Sequence, residues 1–223
     1  MKIALQVSFV FIFSIVLSGC QSSAEKDKLE ASNFFLRGNQ KSKEKEYREA
    51  LKWYNEAIEK DPKFSDAYYN RGLVNLAIDK NEDALIDFQK AVELDPQFAA
   101  AHRQLGDMYL QQKNLSKALS SYQIAIKIEP KNVEAKINEG VVYQEMGELD
   151  LAEKSFQAVL ATGKYKDLIY NNLGYLEIQR KQYELAKKWI DKALYLSPQN
   201  ELYLRNLKRI EDESGLKKAH VIQ

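Results

Sequence analysis

The sequence predicts an all-α fold: an α-solenoid of five stacked helix-turn-helix units, closed by a C-terminal capping helix. Glycine recurs in register every 34 residues, and an alanine follows each of these glycines 12 residues later. Prolines lie near the ends of most of the same intervals. A fixed period of this length is typical of stacked-repeat proteins. The glycines are Gly38, Gly72, Gly106, Gly140 and Gly174, and the alanines are Ala50, Ala84, Ala118, Ala152 and Ala186.

The first element in the chain is an apolar run over residues 3–17. Its length suits a secretory signal and is short for a membrane span. Leu17, Ser18 and Gly19 then precede Cys20, the single cysteine of the chain. This pattern resembles the bacterial lipobox, which implies a signal peptide over residues 1–19 and a diacylglycerol group on the Cys20 thiol. The alternative is an ordinary signal peptide with a chance cysteine.

The lipobox resemblance also implies a location for the mature chain. Two or more acyl chains suffice for stable anchoring, because each buried CH₂ contributes about 0.8 kcal/mol. In well-studied Gram-negative bacteria an aspartate after the lipidated cysteine favours the inner membrane, and here that residue is Gln21. We therefore expect a membrane-anchored lipoprotein of the bacterial envelope, on the outer membrane and facing the periplasm. Residues 20–30 are expected to form the lipidated N-terminus and a tether.

The five helical pairs follow the tether. Each unit is expected to hold two helices of about a dozen residues, because apolar residues recur at helical spacing. Proline cannot continue a helix, so Pro62, Pro96, Pro130 and Pro198 mark unit ends. Lys164 replaces the proline of the fourth unit, where Gly163 is expected to cap the preceding helix. The units are residues 31–64, 65–98, 99–132, 133–166 and 167–200.

A glycine within a helix is destabilising by about 1 kcal/mol relative to alanine, so five in register require a steric reason. We expect the paired helices to approach each other closely at the glycines, with the alanines supplying a small surface opposite. Large side chains fill the space between these positions in the first four units, and Ile190 takes that place in the fifth. The large residues are Tyr54, Phe88, Tyr122 and Phe156.

This small-large spacing with a closing proline resembles the tetratricopeptide repeat. The resemblance covers residues 31–200, and the stretch AYYNRG over residues 67–72 is close to the family consensus. It implies a right-handed superhelix in which the first helix of each pair lines a concave groove. After residue 200 the register lacks its glycine, so residues 201–213 are expected to form the capping helix. Residues 214–223 are expected to form a flexible tail.

The resemblance also implies which side chains face the groove. At the sixth position of units two to five stand Asn70, Gln104, Asn138 and Asn172. A carboxamide can donate to and accept from one peptide unit, so this series could hold an extended peptide backbone without reading its sequence. The alternative is that these amides merely face water. Further groove positions of the candidate site are Asn39, Tyr69, Arg103 and Asn171.

Other features argue against several classes of function. The 33 basic and 32 acidic residues balance, whereas a nucleic-acid-binding protein usually shows a basic excess. His102 and His220 have no histidine or cysteine at ligand spacing, so no metal site is expected, and His102 is expected to serve packing. Phosphate-loop, nucleophile-elbow and kinase motifs do not occur, so neither a cofactor nor catalysis is expected.

Together these observations predict a non-catalytic, lipid-anchored scaffold that binds a protein or extended peptide in the bacterial envelope. One role that the resemblance implies is assembly of an envelope complex such as a type IV pilus secretin. A second is an adaptor that docks cell-wall hydrolases or a protease. An enzyme with an unrecognised site and a structural oligomer are the alternatives from other classes. The fold alone does not choose among these functions.

Overall fold

Eleven α-helices make up the described part of the chain. The structure, a computed structural model, describes the backbone over residues 3–215 and the side chains from Ser23 to Gly215. The first helix of each pair is called an A helix and the second a B helix. The helices are α1 Ile3–Lys43, α2 Tyr47–Lys60, α3 Ser65–Ala77, α4 Asn81–Leu94, α5 Ala99–Gln111, α6 Leu115–Ile128, α7 Val133–Glu145, α8 Leu149–Leu160, α9 Lys166–Gln179, α10 Tyr183–Leu196 and α11 Glu201–Ser214.

The predicted fold class is confirmed: A and B helices alternate in five pairs, and α11 follows as an additional helix. The chain divides into two compact units, residues 1–101 and residues 102–223. Helices α1 to α4 belong to the first unit, and most of α5 together with α6 to α11 belongs to the second.

Helix α1 begins earlier than the predicted unit boundary. Residues 20–30, interpreted from the sequence as a tether, continue the helix without a break into the first repeat. Part of this stretch is held by the next helix, because the Lys60 ammonium lies 2.7 Å from Glu30 and 3.9 Å from Asp27. The predicted tail after Gly215 and the Cys20 side chain lie outside what the structure describes.

Each A helix ends in the same turn. One residue adopts a left-handed conformation, and the next amide donates to the carbonyl five residues earlier, for example Glu46 to Lys41 at 2.9 Å. This is the Schellman motif. Only the fourth unit uses glycine, Gly147, in the left-handed position, although such a backbone costs other residues about 1–2 kcal/mol. The left-handed residues are Lys45, Asp79, Lys113, Gly147 and Lys181, again 34 apart.

The B helices end where the prolines predict. Helices α2, α4, α6 and α10 each stop two residues before a proline. Helix α8, which lacks that proline, stops earlier at Leu160, and Gly163 adopts the left-handed conformation there with φ of 76°. Ala161 is the C-cap residue of α8, and its amide donates to the Gln157 carbonyl at 3.0 Å, so Gly163 lies in the turn after the helix and is not the expected cap.

The groups nearest to the repeated glycines are large B-helix side chains, which are aromatic in the first four pairs. A methyl group on Gly106 would lie 2.5 Å from Cε1 of Tyr122, and one on Gly72 would lie 2.8 Å from Cε1 of Phe88. In the fifth pair, Ile190 takes the place of the ring at 2.7 Å. The expected close approach is correct, but its partner is the large residue of the B helix. The repeated alanines are fully buried, and in the fifth pair the Ala186 carbonyl oxygen would also lie 3.2 Å from a methyl group on Gly174.

We expect Gly106→Ala to lower the free energy of unfolding by about 1–3 kcal/mol, because the added methyl group overpacks the ring contact. The Tyr122 hydroxyl donates a hydrogen bond to Asp107 at 2.7 Å, and this bond restrains the ring from moving away from the added methyl group. Gly140→Ala is the matched comparison, since Phe156 has no hydroxyl to restrain it. Urea unfolding should show the smaller loss for Gly140→Ala. Equal losses would contradict the role of the hydroxyl.

Candidate functional site

The predicted groove carboxamides lie half-buried on the A helices, and the structure separates them into two kinds. Asn70 and Asn138 donate hydrogen bonds to the preceding A helix. The Gln104 side chain has no hydrogen-bond partner among the described residues. The Asn172 side chain only accepts a long hydrogen bond of 3.5 Å from the Asn171 side chain. The series that looked uniform in sequence is therefore not uniform in its bonding.

In the first repeat, Asn39 links a buried tyrosine to a carboxamide of the next A helix. Its Oδ1 accepts a hydrogen bond from the Tyr54 hydroxyl at 2.8 Å and another from Nδ2 of Asn70 at 2.9 Å. Burial raises the pKa of Tyr54 to about 12, so the phenol remains a donor at neutral pH. The ring that packs on Gly38 thereby also positions a carboxamide of the next repeat.

In the third repeat, Asp107 has the corresponding role. Its Oδ1 accepts hydrogen bonds from the Tyr122 hydroxyl and from Nδ2 of Asn138, both at 2.7 Å. Its Oδ2 accepts a hydrogen bond from Arg103 at 3.1 Å. Burial and the nearby carboxylate raise the pKa of Tyr122, which keeps its proton on the phenol.

The Asp107 carboxylate also determines the orientation of the Asn138 amide. An ionised carboxylate only accepts hydrogen bonds, so the NH₂ group of Asn138 must face it. The Asn138 carbonyl oxygen is then directed away from Asp107. This half-buried side chain is held in one orientation and keeps an acceptor for an external donor.

Other repeats replace this polar pair by an apolar one. Phe88 and Phe156 stand where Tyr54 and Tyr122 stand, and they have no hydroxyl group to donate. The acceptor positions of the same repeats hold Leu73 and Val141, which cannot accept a hydrogen bond. An aromatic hydroxyl and its acceptor therefore occur together in repeats one and three and are both missing from repeats two and four.

Asn171 is buried rather than available to a partner. It is 3% exposed, and its Oδ1 accepts a hydrogen bond from Nδ2 of Asn206 at 2.8 Å. Asn206 lies on α11, 34 residues after Asn172, so the carboxamide series continues into the capping helix. The sequence interpretation missed this residue because it ended the series with the last glycine. Continuing the 34-residue step would have found it.

A second contact fastens the capping helix to the fifth repeat. The Asp167 carboxylate accepts hydrogen bonds from Ser197 at 2.7 Å and from Tyr203 at 3.2 Å. Burial opposes ionisation of Asp167, but these hydrogen bonds and others from the backbone outweigh it and lower its pKa. Burial and this carboxylate raise the pKa of Tyr203 to about 12. Asp167 therefore stays ionised and holds α11.

The remaining groove candidates also have partners within the fold. The Tyr69 ring packs between Phe88 and Phe98, with ring centroids 5.7 and 4.8 Å away. Arg103 is paired with Asp107, and His102 is buried, as its predicted packing role requires. Within the described residues, Gln104 and Asn172 are therefore the groove amides with the most hydrogen-bonding capacity left.

Metal centres and membrane-spanning helices are two other kinds of feature that a helical chain can contain. In the part of the chain that the structure describes, no group of three or more histidine, cysteine or acidic side chains could hold a metal ion. The described residues also include no helix of the length and apolar character that crossing a bilayer requires.

The fold and the amide-bearing A helices define a helical-repeat scaffold of the kind used for protein–protein interaction. One family model, described as "TPR repeat", matches residues 38–79 and 106–147. Two others, described as "Tetratricopeptide repeat", match residues 65–98 and 168–200. The chain belongs to the tetratricopeptide repeat family. Members of this family are typically non-catalytic interaction scaffolds.

Solved structures with the same architecture include YrrB, described as "a TPR protein with an unusual peptide-binding site". It is 26% identical, with a TM-score of 0.73, and the match covers 84% of this chain and 97% of that one. MamA is 21% identical with a TM-score of 0.68, over 87% and 97%. PilF of Pseudomonas aeruginosa is 18% identical with a TM-score of 0.71, over 86% and 88%. The last two likenesses show the fold alone.

A comparison with curated protein sequences found no match.

We expect Asp107→Leu to destabilise the part of the chain over residues 102–215, because it leaves the buried Tyr122 hydroxyl without an acceptor. An unsatisfied buried donor costs about 1–3 kcal/mol. Adding Tyr122→Phe removes that donor and recreates the apolar pair of repeats two and four. The double variant should therefore recover part of the loss in chemical denaturation. A double variant no more stable than Asp107→Leu alone would contradict this account of the alternation.

Proposed function

We propose that this chain is a non-catalytic scaffold that binds an extended segment of a partner protein along the A helices of residues 102–215. The observation that carries the proposal is the Asn138 amide, which Asp107 holds in one orientation. Gln104 and Asn172, one repeat to either side, keep their amide groups available to a partner.

The chemistry suits a peptide backbone. A carboxamide presents one acceptor and two donors, the same groups that a peptide unit pairs with in a sheet. An oriented amide loses little conformational freedom when it binds, so its hydrogen bond contributes more to affinity. The two free amides can adjust to the partner. Such a surface binds the main chain of the partner segment, and residues next to the amides select the partner's side chains.

The comparison with YrrB supports this assignment. That protein, 26% identical over 84% of this chain, is described as having an unusual peptide-binding site. A peptide is also a chemically reasonable ligand for a surface that mixes amides with apolar residues. Val141 is half-buried and lies close to Asn138 on the same helix.

We further propose that the scaffold is anchored in the bacterial envelope through acylated Cys20. Support comes from the apolar run that precedes it, the small residues Ser18 and Gly19, and the absence of any other cysteine from the sequence. Gln21 favours the outer membrane. In that location the scaffold would assist assembly of an envelope complex such as a type IV pilus secretin, with an adaptor for cell-wall hydrolases or a protease as the alternative.

The peptide hypothesis is tested by the double variant Gln104→Ala, Asn172→Ala. Two lost hydrogen bonds of about 1 kcal/mol each should weaken binding roughly tenfold or more. Thermal melting should change little, because neither amide makes a strong bond within the fold. The probe is the tightest binder selected from a display library of short random peptides, and its affinity is measured by calorimetry.

Gln199→Ala is the matched control, because Gln199 is an exposed amide in the loop before α11. It should leave the affinity unchanged. Undiminished binding to the Gln104→Ala, Asn172→Ala variant would discard the A-helix surface as the peptide site.

The anchor is tested separately with Cys20→Ser in a Gram-negative host. We expect the variant to move from the membrane fraction to the soluble fraction, since the acceptor of the acyl chains is gone. Unchanged membrane association would contradict the lipoprotein assignment. Partners captured from detergent-solubilised membranes would then decide between the two roles: a secretin supports the first, and an amidase or protease the second.

A further inference from the structure

A recess lies between the start of α9 and the end of α10, away from the proposed peptide surface. Its volume is about 490 Å³. None of the residues that line it belongs to the candidate groove. They are Lys166, Tyr170, Asp191, Lys192, Tyr195 and Leu196.

Aromatic rings hold one of the two lysines in this recess. Tyr170 and Trp189 stack with centroids 5.7 Å apart. The Lys192 ammonium lies 4.2 Å from the centroid of Trp189 and 5.6 Å from that of Tyr170. Cation–π contacts of this kind hold the charge in place without neutralising it.

No carboxylate neutralises the recess lysines within the described residues. Asp191 lines the recess, but its carboxylate is paired with Lys187 at 2.7 Å. Neither Lys166 nor Lys192 forms an ion pair with any described acidic side chain. Two positive charges are therefore available beside an apolar wall.

The second repeat has an ion pair at the position where Lys192 of the fifth repeat has none. Lys90 occupies the position of Lys192 three periods earlier, and its ammonium pairs with Glu93 at 2.7 Å. The fifth repeat has Tyr195 where that glutamate would stand. Tyr195 is 85% exposed, the largest value among the exposed large hydrophobic residues of the described chain.

The first repeat shows that the ring stack does not require lysines at the positions of Lys166 and Lys192. It contains the same ring stack, formed by Phe34 and Trp53 with centroids 5.7 Å apart. However, the positions equivalent to Lys166 and Lys192 hold Glu30 and Glu56. The stack therefore belongs to repeat packing, whereas Lys166, Lys192 and Tyr195 occur together in the fifth repeat alone.

We propose that this recess is a second docking site, which binds a partner segment carrying acidic side chains next to a large apolar one. The free ammonium groups of Lys166 and Lys192 attract the carboxylates. Tyr170, Tyr195 and Leu196 contact the apolar side chain, and aromatic residues of this kind supply much of the contact energy at protein interfaces. A recess accommodates a protruding side chain better than a flat lipid surface does.

The site is tested with the full chain and two fluorescein-labelled, N-acetylated peptides of sequence EDELF and KRKLF. They share the apolar end and differ in charge. Fluorescence anisotropy should show the acidic peptide binding at least about tenfold more tightly, with an affinity that falls as salt is added. Lys166→Gln with Lys192→Gln should remove this preference, and Tyr195→Ser should weaken the acidic peptide about threefold.

Two controls separate the site from general charge and from folding. Lys188→Gln removes an exposed lysine of α10 that does not line the recess, and it should leave binding unchanged. Lys192→Arg keeps the positive charge, and a guanidinium can also make a cation–π contact with the two rings, so this variant should retain most of the affinity. The Gln104→Ala, Asn172→Ala variant should also bind the acidic peptide normally, so this site can fail or survive independently of the peptide surface.

The proposal would be overturned by equal binding of the two peptides, or by an equal loss on Lys188→Gln. Loss of acidic-peptide binding in the Gln104→Ala, Asn172→Ala variant would overturn it too, by placing that peptide on the A helices. Sedimentation with phosphatidylglycerol vesicles that depends on Lys166 and Lys192, without binding of either peptide, would instead identify the recess as a lipid contact.

Discussion

The architecture depends on one contact, in which a large B-helix side chain packs on a glycine of the paired A helix. At Gly106 an added methyl group would lie 2.5 Å from the Tyr122 ring, so a larger residue cannot occupy this position without displacing the ring. Each glycine lowers the stability of its helix by about 1 kcal/mol relative to alanine. Burial of an aromatic ring stabilises the fold by more, about 1.5–3 kcal/mol. Since the contact repeats every 34 residues, each helical pair is built in the same way.

The same contact connects the core to the surface that we propose as the peptide site. Where the ring is tyrosine, its hydroxyl reaches a polar residue on the A helix, and that residue orients a carboxamide of the following repeat. Tyr122, Asp107 and Asn138 form such a chain of hydrogen bonds at 2.7 Å each. Where the ring is phenylalanine, as at Phe156, no such chain can form. Core composition thereby decides which amides are fixed and which are free.

Positions outside this contact vary from repeat to repeat, and function can differ there without cost to the fold. The stack of Tyr170 and Trp189 matches that of Phe34 and Trp53, yet Glu30 and Glu56 stand in the first repeat where Lys166 and Lys192 stand in the fifth. A repeat protein can therefore carry more than one binding surface, because each repeat needs only its packing residues to stack on its neighbours.

The sequence by itself determined the number of helical pairs, most of their boundaries, the close approach at the glycines and the carboxamide positions. These follow from a period that local composition displays directly. Only the tertiary structure decided which amides are free, that Asn171 is buried against Asn206, and that Lys192 lacks a carboxylate. The physical reason is that these partners lie about 30 residues apart or on separate helices. Their hydrogen bonds and charges meet only once neighbouring helices have packed.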